Sequence, residues 1–528
     1  MNTIHLQTNQ HQLIANLRHA FTPYSMLGEL LQNARRAQAS LIQVTVEENT
    51  LTISDDGIGI ADLQSLIRIA ESGWSEELRA RENAFGMGVL STLYFAQTLS
   101  VHSGSQAFSA STSAIIRGEA IEVLSRDWRE GTEIRLVGVQ PPGESRTLNT
   151  WVQRELKKLC EAFPVRVLLN GVEICRPLAD PTLRWRETPM GKVLIDLSEH
   201  PRYWKCFLQG LPISQTSLVS GSFGRNVVML RDDVLARLPD RQYLLNEKED
   251  CKRIDEAVKD AYRQVLIDEK ARLAGSEFVL LHAAMCLKTK NADLLNDIPL
   301  APREWFRDWT DKPAGYHEPD RFSERKYSGA LLSQEEIQDT GVWFIESFLR
   351  DKPTAEVYLE AQQARLLEEG GLHADHWLMQ MAKFLKPERV RVKCGRMLHE
   401  VSYLPLENHA ITQVALFETL HVCIVGSGEA FAANAICAGE TLYLTPQVSN
   451  ATRFVSSYVF DDRYDASRRN VDEQAIAEFI AVGGSDTPAG LIGALLPDSV
   501  RYAQQPKLAG TTIRLVFNGE GFLQEIQA

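Results

Sequence analysis

Glu29-Leu-Leu-Gln-Asn33-Ala34 and, further on, Asp55-Asp56-Gly57-Ile58-Gly59 are the stretches on which the reading of this chain turns. The first lies within residues 24–38. There Leu27, Leu30, Leu31 and Ala34 recur at the i, i+3, i+4, i+7 spacing that predicts a helix with one buried stripe. Glu29 and Asn33 stand four apart and share a different face of that helix. Two short strand patterns, 41–46 and 50–54, then run into the Asp-Gly turn. Residues 61–69 read as helical, with Ser72-Gly73 as a stop. Phe85-Gly86-Met87-Gly88-Val89 precedes a helix over 89–95. Backbone N–H groups at such a place can cradle an anion. Residues 98–102, 108–112, 114–116, 120–124 and 132–137 then read as antiparallel strands, the last opening on Gly131-Thr132. Helices grouped over a mainly antiparallel sheet predict an α+β sandwich rather than a doubly wound parallel sheet.

A solvated amphipathic helix or a surface Asp-Asp-Gly turn explains any one of these pieces. Their order within the first 135 residues resembles the boxes of the GHKL ATPase superfamily: gyrase B, the ninety-kilodalton heat-shock chaperones, sensor histidine kinases and MutL. The resemblance implies a Bergerat-type two-layer sandwich that binds ATP with Mg²⁺ and hydrolyses it. It places Glu29 as the general base that orients and deprotonates the attacking water. It makes Asn33 the oxygen ligand of Mg²⁺, a hard ion. Asp55 becomes the acceptor for the adenine amine, with Gly57 and Gly59 free to take positive φ beside Ile60. Asn83, Gly86, Met87, Gly88 and Val89 form the phosphate loop, with residues 71–82 as its lid. Thr132 supports Asp55. Two positions depart from the pattern: Asn83 replaces a glycine, and Arg36 replaces an acid. Asn tolerates the left-handed region, so the loop can still close. Arg35 is expected to face solvent, whereas Arg36 is left open between phosphate or lid acids and solvent.

A helix over 147–162 leads to a hairpin signal at Val165–Ile174, with Asn170-Gly171 as its turn. Strands near 193–197, 204–208 and 227–230 and a charged helix over 252–273 complete a second block. It resembles the transducer domain of the superfamily, which sends a basic side chain to the γ-phosphate, where positive charge stabilises the transition state. Arg237, Arg241 and Lys248 are the candidates and Arg241 the first choice; ordinary helix-face ion pairs are the competing explanation. The expected domains are 1–148 (ATP-binding), 149–273 (transducer-like), 274–388 (mainly helical) and 389–528 (strand-rich). Residues 297–321 read as a connection, 333–385 as helical, 390–457 as strands, 471–481 as a helix and 511–517 as a last strand.

At 528 residues the chain exceeds one core. Its net charge of −13 disfavours non-specific binding to nucleic acid or anionic lipid. Eight scattered cysteines without a C-x-x-C pair read as reduced thiols of a cytoplasmic protein. A signal-like start and a spanning apolar run are both missing from the sequence. No Walker or Rossmann glycine pattern occurs. His19 stands too near Glu29 to be a kinase phosphoacceptor, His373 and His376 read as structural, and Trp305, Trp309, Trp343 and Trp377 read as core.

The expected function is therefore an ATP-gated clamp that dimerises with nucleotide and holds an unidentified protein client through its C-terminal half. Ile69-Ala-Glu-Ser-Gly73 resembles the chaperone branch. The alternatives are a DNA-transaction ATPase of the gyrase, MutL or MORC kind, and an ATP-binding sensor that does not hydrolyse.

Overall fold

In the computed structural model, residues 19, 21–68, 74, 89–142, 147–214, 224–237, 241–307, 309, 329–346, 352–448, 450–460 and 463–528 are described. They fall into two compact units, Met1–Arg272 and Leu273–Ala528.

The first unit begins with helix α1 (Pro23–Arg36). Thr22 and Ser25 close a capping box, Pro23 sits at the first turn where its missing N–H costs nothing, and Arg35 and Arg36 end the helix. Met26, Leu27, Leu30 and Leu31 are buried, which stabilises by roughly 1.5–3 kcal/mol per side chain. They pack on a six-stranded sheet of order β3-β4-β2-β1-β5-β6. Its strands are β1 (Leu41–Glu47), β2 (Thr50–Asp55), β3 (Thr98–Ser111), β4 (Leu124–Val137), β5 (Arg166–Leu169) and β6 (Val172–Glu173). Only the β1–β5 pairing is parallel. Helix α2 (Thr92–Phe95), helix α3 (Thr112–Ile116) and helix α4 (Leu148–Leu159) complete this layer.

The structure corrects two expectations in this unit. Residues 114–116, read as a strand, and Thr112, read as the end of another, lie in α3, because Ser111 caps Ala114 N–H and turns the chain. The boundary at 148 cuts through a core: Trp151, Val152, Leu156 and Leu159 of α4 share one hydrophobic cluster with β1, and β5 lies in register beside it. The hairpin turn at Asn170-Gly171 takes positive φ at both residues (49° and 82°), as its sequence predicts.

A second, five-stranded sheet runs β10-β9-β11-β8-β7, from β7 (Arg186–Thr188), β8 (Gly191–Leu194), β9 (Trp204–Leu208), β10 (Leu211–Ile213) and β11 (Asn226–Leu230). Helix α5 (Glu247–Arg272) covers it with Ile254, Ala257, Val258 and Ala261. Gln32 of α1 donates to Gln209 C=O in the β9–β10 turn at 3.2 Å, and Lys205 pairs with Glu161. These bonds tie the two sheets together.

In the second unit the stretch 333–385, read as helical, holds three short helices (Gln334–Thr340, Lys352–Glu360 and Trp377–Met381) and two strands. Strands then dominate from Val390 to Leu444, followed by the helix Ala466–Gly484. Trp305 and Trp377 are core residues. The strand Arg514–Phe517 has a partner the sequence reading missed, Leu523–Gln527. Among the described residues no helix is long and apolar enough to cross a membrane.

Candidate active site

Asp55 closes β2, where the ladder places it opposite Thr132 of β4, itself opposite Ser103 of β3. Its carboxylate accepts the Gly57 N–H at 2.9 Å. Burial pushes its pKa up from the usual carboxylate range, against the lowering effect of the Gly57 and Thr132 hydrogen bonds. The neighbouring Asp56 accepts the Ser40 and Leu41 N–H groups at 2.8 and 3.0 Å and so fixes the start of β1. Adjacent acids are thus divided between an acceptor that closes its own Gly57 turn and a clamp on the start of β1.

Gly59 takes the expected positive φ of 73°, and a Cβ there would stand 2.8 Å from Ser103 Oγ. Gly57 does not; its requirement is space, since a Cβ would meet Ala37 O at 2.6 Å. The two glycines let the chain after Asp55 pass directly over the C-terminus of α1, where Ile58 N–H bonds Ala37 C=O at 2.9 Å.

Ser103 is a residue of this candidate site that sequence reasoning missed. Fully buried, its hydroxyl accepts Ile60 N–H at 2.8 Å, donates to Gly131 C=O at 2.8 Å and lies 3.3 Å from Thr132 Oγ1. The available signal was a break in alternation: Leu99 and Val101 set the inward face of β3, and Ser103 puts a hydroxyl at the next inward position.

On α1, Glu29 is buried and both its oxygens face cations. Arg36 Nη1 stands 3.9 Å from Oε2, and Arg241 Nε stands 3.4 Å from Oε1. Arg36, left open between phosphate, lid acids and solvent, is buried on its own helix and donates to Asn33 Oδ1 at 3.4 Å. Arg35, expected in solvent, bonds Gln32 Oε1 at 2.7 Å. Asn33 itself is half-buried.

Of the three basic candidates in the second block, the structure brings Arg241 to Glu29. Arg237 is exposed and stacks over Tyr243, and Lys248 is exposed at the start of α5. Arg241 sits at φ 53°, a conformation that a non-glycine side chain holds only against a cost, with its N–H bonded to Arg237 C=O at 2.9 Å. Glu29, Arg241, Gln32, Gln209 and Gln242 line a cavity of about 30 Å³, enough for a water or two. Val89 is buried in a short 3₁₀ turn leading into α2. Asn83, Gly86, Met87 and Gly88, the lid apart from Trp74, and the Ile69–Gly73 segment lie outside the described residues.

The arrangement pairs a half-buried acceptor with a carboxylate and an amide oxygen on a helix. Hard oxygen donors of this kind fit Mg²⁺, and the Asp55 acceptor fits an exocyclic amine. Residues 21–126 match a family model described as histidine kinase-, DNA gyrase B- and HSP90-like ATPase. No curated protein matches the chain.

Proposed function

With residues 21–126 a GHKL ATPase domain, we propose that this chain binds ATP with Mg²⁺ and hydrolyses it slowly, under the control of Arg241. One observation supports this above the rest: Glu29 on α1 and Arg241 beside the second sheet meet at 3.4 Å. Asp55 accepts the adenine amine, and Ser103 and Thr132 hold the surrounding backbone. Asn33 would hold Mg²⁺, which would offset phosphate charge. Glu29 takes the proton of the attacking water. Its two oxygens both face guanidinium groups, so Arg241 turning toward the phosphates frees the carboxylate to act as a base on the attacking water. Arg241 thereby links the two sheets of the first unit to turnover.

The engagement of Glu29 also favours a second reading, an ATP-binding sensor with negligible turnover. The test is steady-state ATPase activity of the full chain with and without DNA, and with and without an aggregating client. Turnover stimulated by client supports the clamp, turnover stimulated by DNA supports a gyrase- or MutL-like role, and binding without turnover supports the sensor. In the clamp reading, nucleotide drives dimerisation and the second unit binds the client.

A further inference from the structure

Residues 386–396 carry Lys386, Arg389, Arg391, Lys393 and Arg396 against Glu388 alone, in a chain of net charge −13. Within them the strand Val390–Cys394 lies at the edge of a three-stranded sheet and pairs only with Leu420–Ile424. Val390 and Val392 turn to the core beside Leu420 and Val422, which leaves Arg391 and Lys393 exposed on the other face, opposite Cys423 and His421. The register also decides which backbone groups stay open. Arg389 C=O accepts Val425 N–H at 2.8 Å, and Gly395 N–H donates to Thr419 C=O at 2.9 Å. Bonded positions alternate in an antiparallel ladder, so Arg391 and Lys393 turn their backbone groups to Leu420–Ile424, while Val390, Val392 and Cys394 direct theirs outward. No described strand pairs with that outer side; Val390 C=O takes Arg391 Nη1 at 3.1 Å. Arg389, Arg391 and Lys393 recur at every second residue, roughly 7 Å apart. Among the described residues none of the three is ion-paired with a carboxylate, whereas Lys386 reaches Glu346 at 3.9 Å and Arg396 reaches Glu418 at 3.4 Å.

We propose that this edge takes up an acidic peptide of a partner protein as an added antiparallel strand. An extended chain beside Val390–Cys394 satisfies the outward N–H and C=O groups alike. Its positions opposite Arg391 and Lys393 fall in the non-hydrogen-bonded pairs of the new ladder, where side chains stand closest, so acids there meet the two cations directly. The intervening positions lie beside Val390 and Val392 and suit β-branched residues. Two other occupants fit less well. If two copies of the edge met, the same cations would face each other, the repulsion by which charged edges avoid pairing. A phosphodiester backbone offers acceptors alone and leaves the outward carbonyls unpaired. The edge lies within the second unit, so peptide uptake needs no ATP and is measured without it.

Fluorescence anisotropy of a labelled peptide of alternating Glu and Val, titrated with the full chain, should show saturable binding. It should fade as salt rises from about 0.1 to about 1 M and the screening length falls from roughly 10 to 3 Å. Arg391→Glu with Lys393→Glu should weaken binding about tenfold or more. Val392→Pro should do the same with every charge in place. It removes an outward N–H that the ladder to Leu420–Ile424 does not use, on an edge strand, where proline is tolerated. Should that variant fail to fold, a Glu-Pro peptide of equal charge is the second probe: it cannot donate from its proline positions and should bind the wild-type chain about tenfold more weakly. Absence of binding would overturn the proposal. So would undiminished affinity for the Glu-Pro peptide or in folded Val392→Pro, which would make the edge a bare charge patch. Tighter binding of oligodeoxythymidylate, lost in the same charge-reversal variant, would assign the surface to nucleic acid instead.

Discussion

Replacing Ser103 by Ala removes one oxygen that serves two strands and a turn. Ile60 N–H loses its acceptor at 2.8 Å, and Gly131 C=O loses its donor at 2.8 Å. Ser103 is buried, so water does not replace the hydroxyl freely. An N–H left unsatisfied in such a place costs about 1–3 kcal/mol, more than the hydrogen bond gave on balance. The unfolding free energy of the first unit should fall by that amount in urea. The same loss loosens the Gly59–Ile60 backbone beside Asp55. Part of the penalty should therefore reappear in ATP binding, a weakening of about 3–10-fold at 1.4 kcal/mol per decade. Ser103→Cys, with a poor acceptor, should fall between. Calorimetry with ATP, alongside urea melts, measures both effects. Stability within about 0.5 kcal/mol of the parent together with unchanged ATP affinity would show that Ser103 merely fills space.

Asp55→Asn should abolish ATP binding in calorimetry, since the amide turns a donor toward the adenine amine; unchanged affinity sinks the adenine assignment. The same variant should stabilise the nucleotide-free protein at neutral pH. The folded-state pKa of Asp55 is raised, so its favourable contribution is complete below about 4 and is lost as pH rises through the raised value. The gain of the Asn variant should thus vanish in acid melts. Glu29→Ala should retain ATP and lose about 10²–10⁴-fold in turnover, while Asn33→Ala should weaken Mg²⁺-dependent binding; intact hydrolysis in both would make α1 purely structural. His376 is buried and caps the helix after it through Nδ1, and burial pushes its pKa down to about 4. The second unit should lose about 3 kcal/mol as pH falls from 6.5 to 4, and His376→Asn, which keeps a capping oxygen, should flatten that slope in acid melts.

Much of the first unit was legible because its chemistry is local. The stripe on α1, the Asp-Gly turn and the Asn-Gly hairpin each write their geometry into neighbouring residues. Gly131-Thr132 was legible only by position. Its physical cause is tertiary, a Cβ at Gly131 standing 1.9 Å from Asp55 O in the next strand. Ser103 and the burial of Arg36 were hidden for the same reason: their partners lie on other strands or depend on which helix face the sheet covers. Arg241 was singled out from a run of charges, but its positive φ and its contact with Glu29 arise from docking of the second sheet. The boundary at 148 failed because a helix pattern does not reveal which sheet it will cover. Short strands in the second unit, three residues long in places, fall below any periodicity.

The parallel pairing of β1 with β5 has a consequence for how the protein is made. Ile42 finds its neighbour Val167 only after more than a hundred further residues have been added. At 5–20 residues per second, β1 waits roughly 6–25 s on the ribosome with one row of N–H and C=O groups unpaired. The stretch that matches the family, 21–126, is thus a unit of recognition but not of folding. Nascent chains stalled before residue 170 should be the ones that holding chaperones find, and synonymous changes that slow translation between β2 and β5 should lower the soluble yield without altering a single contact in the finished molecule.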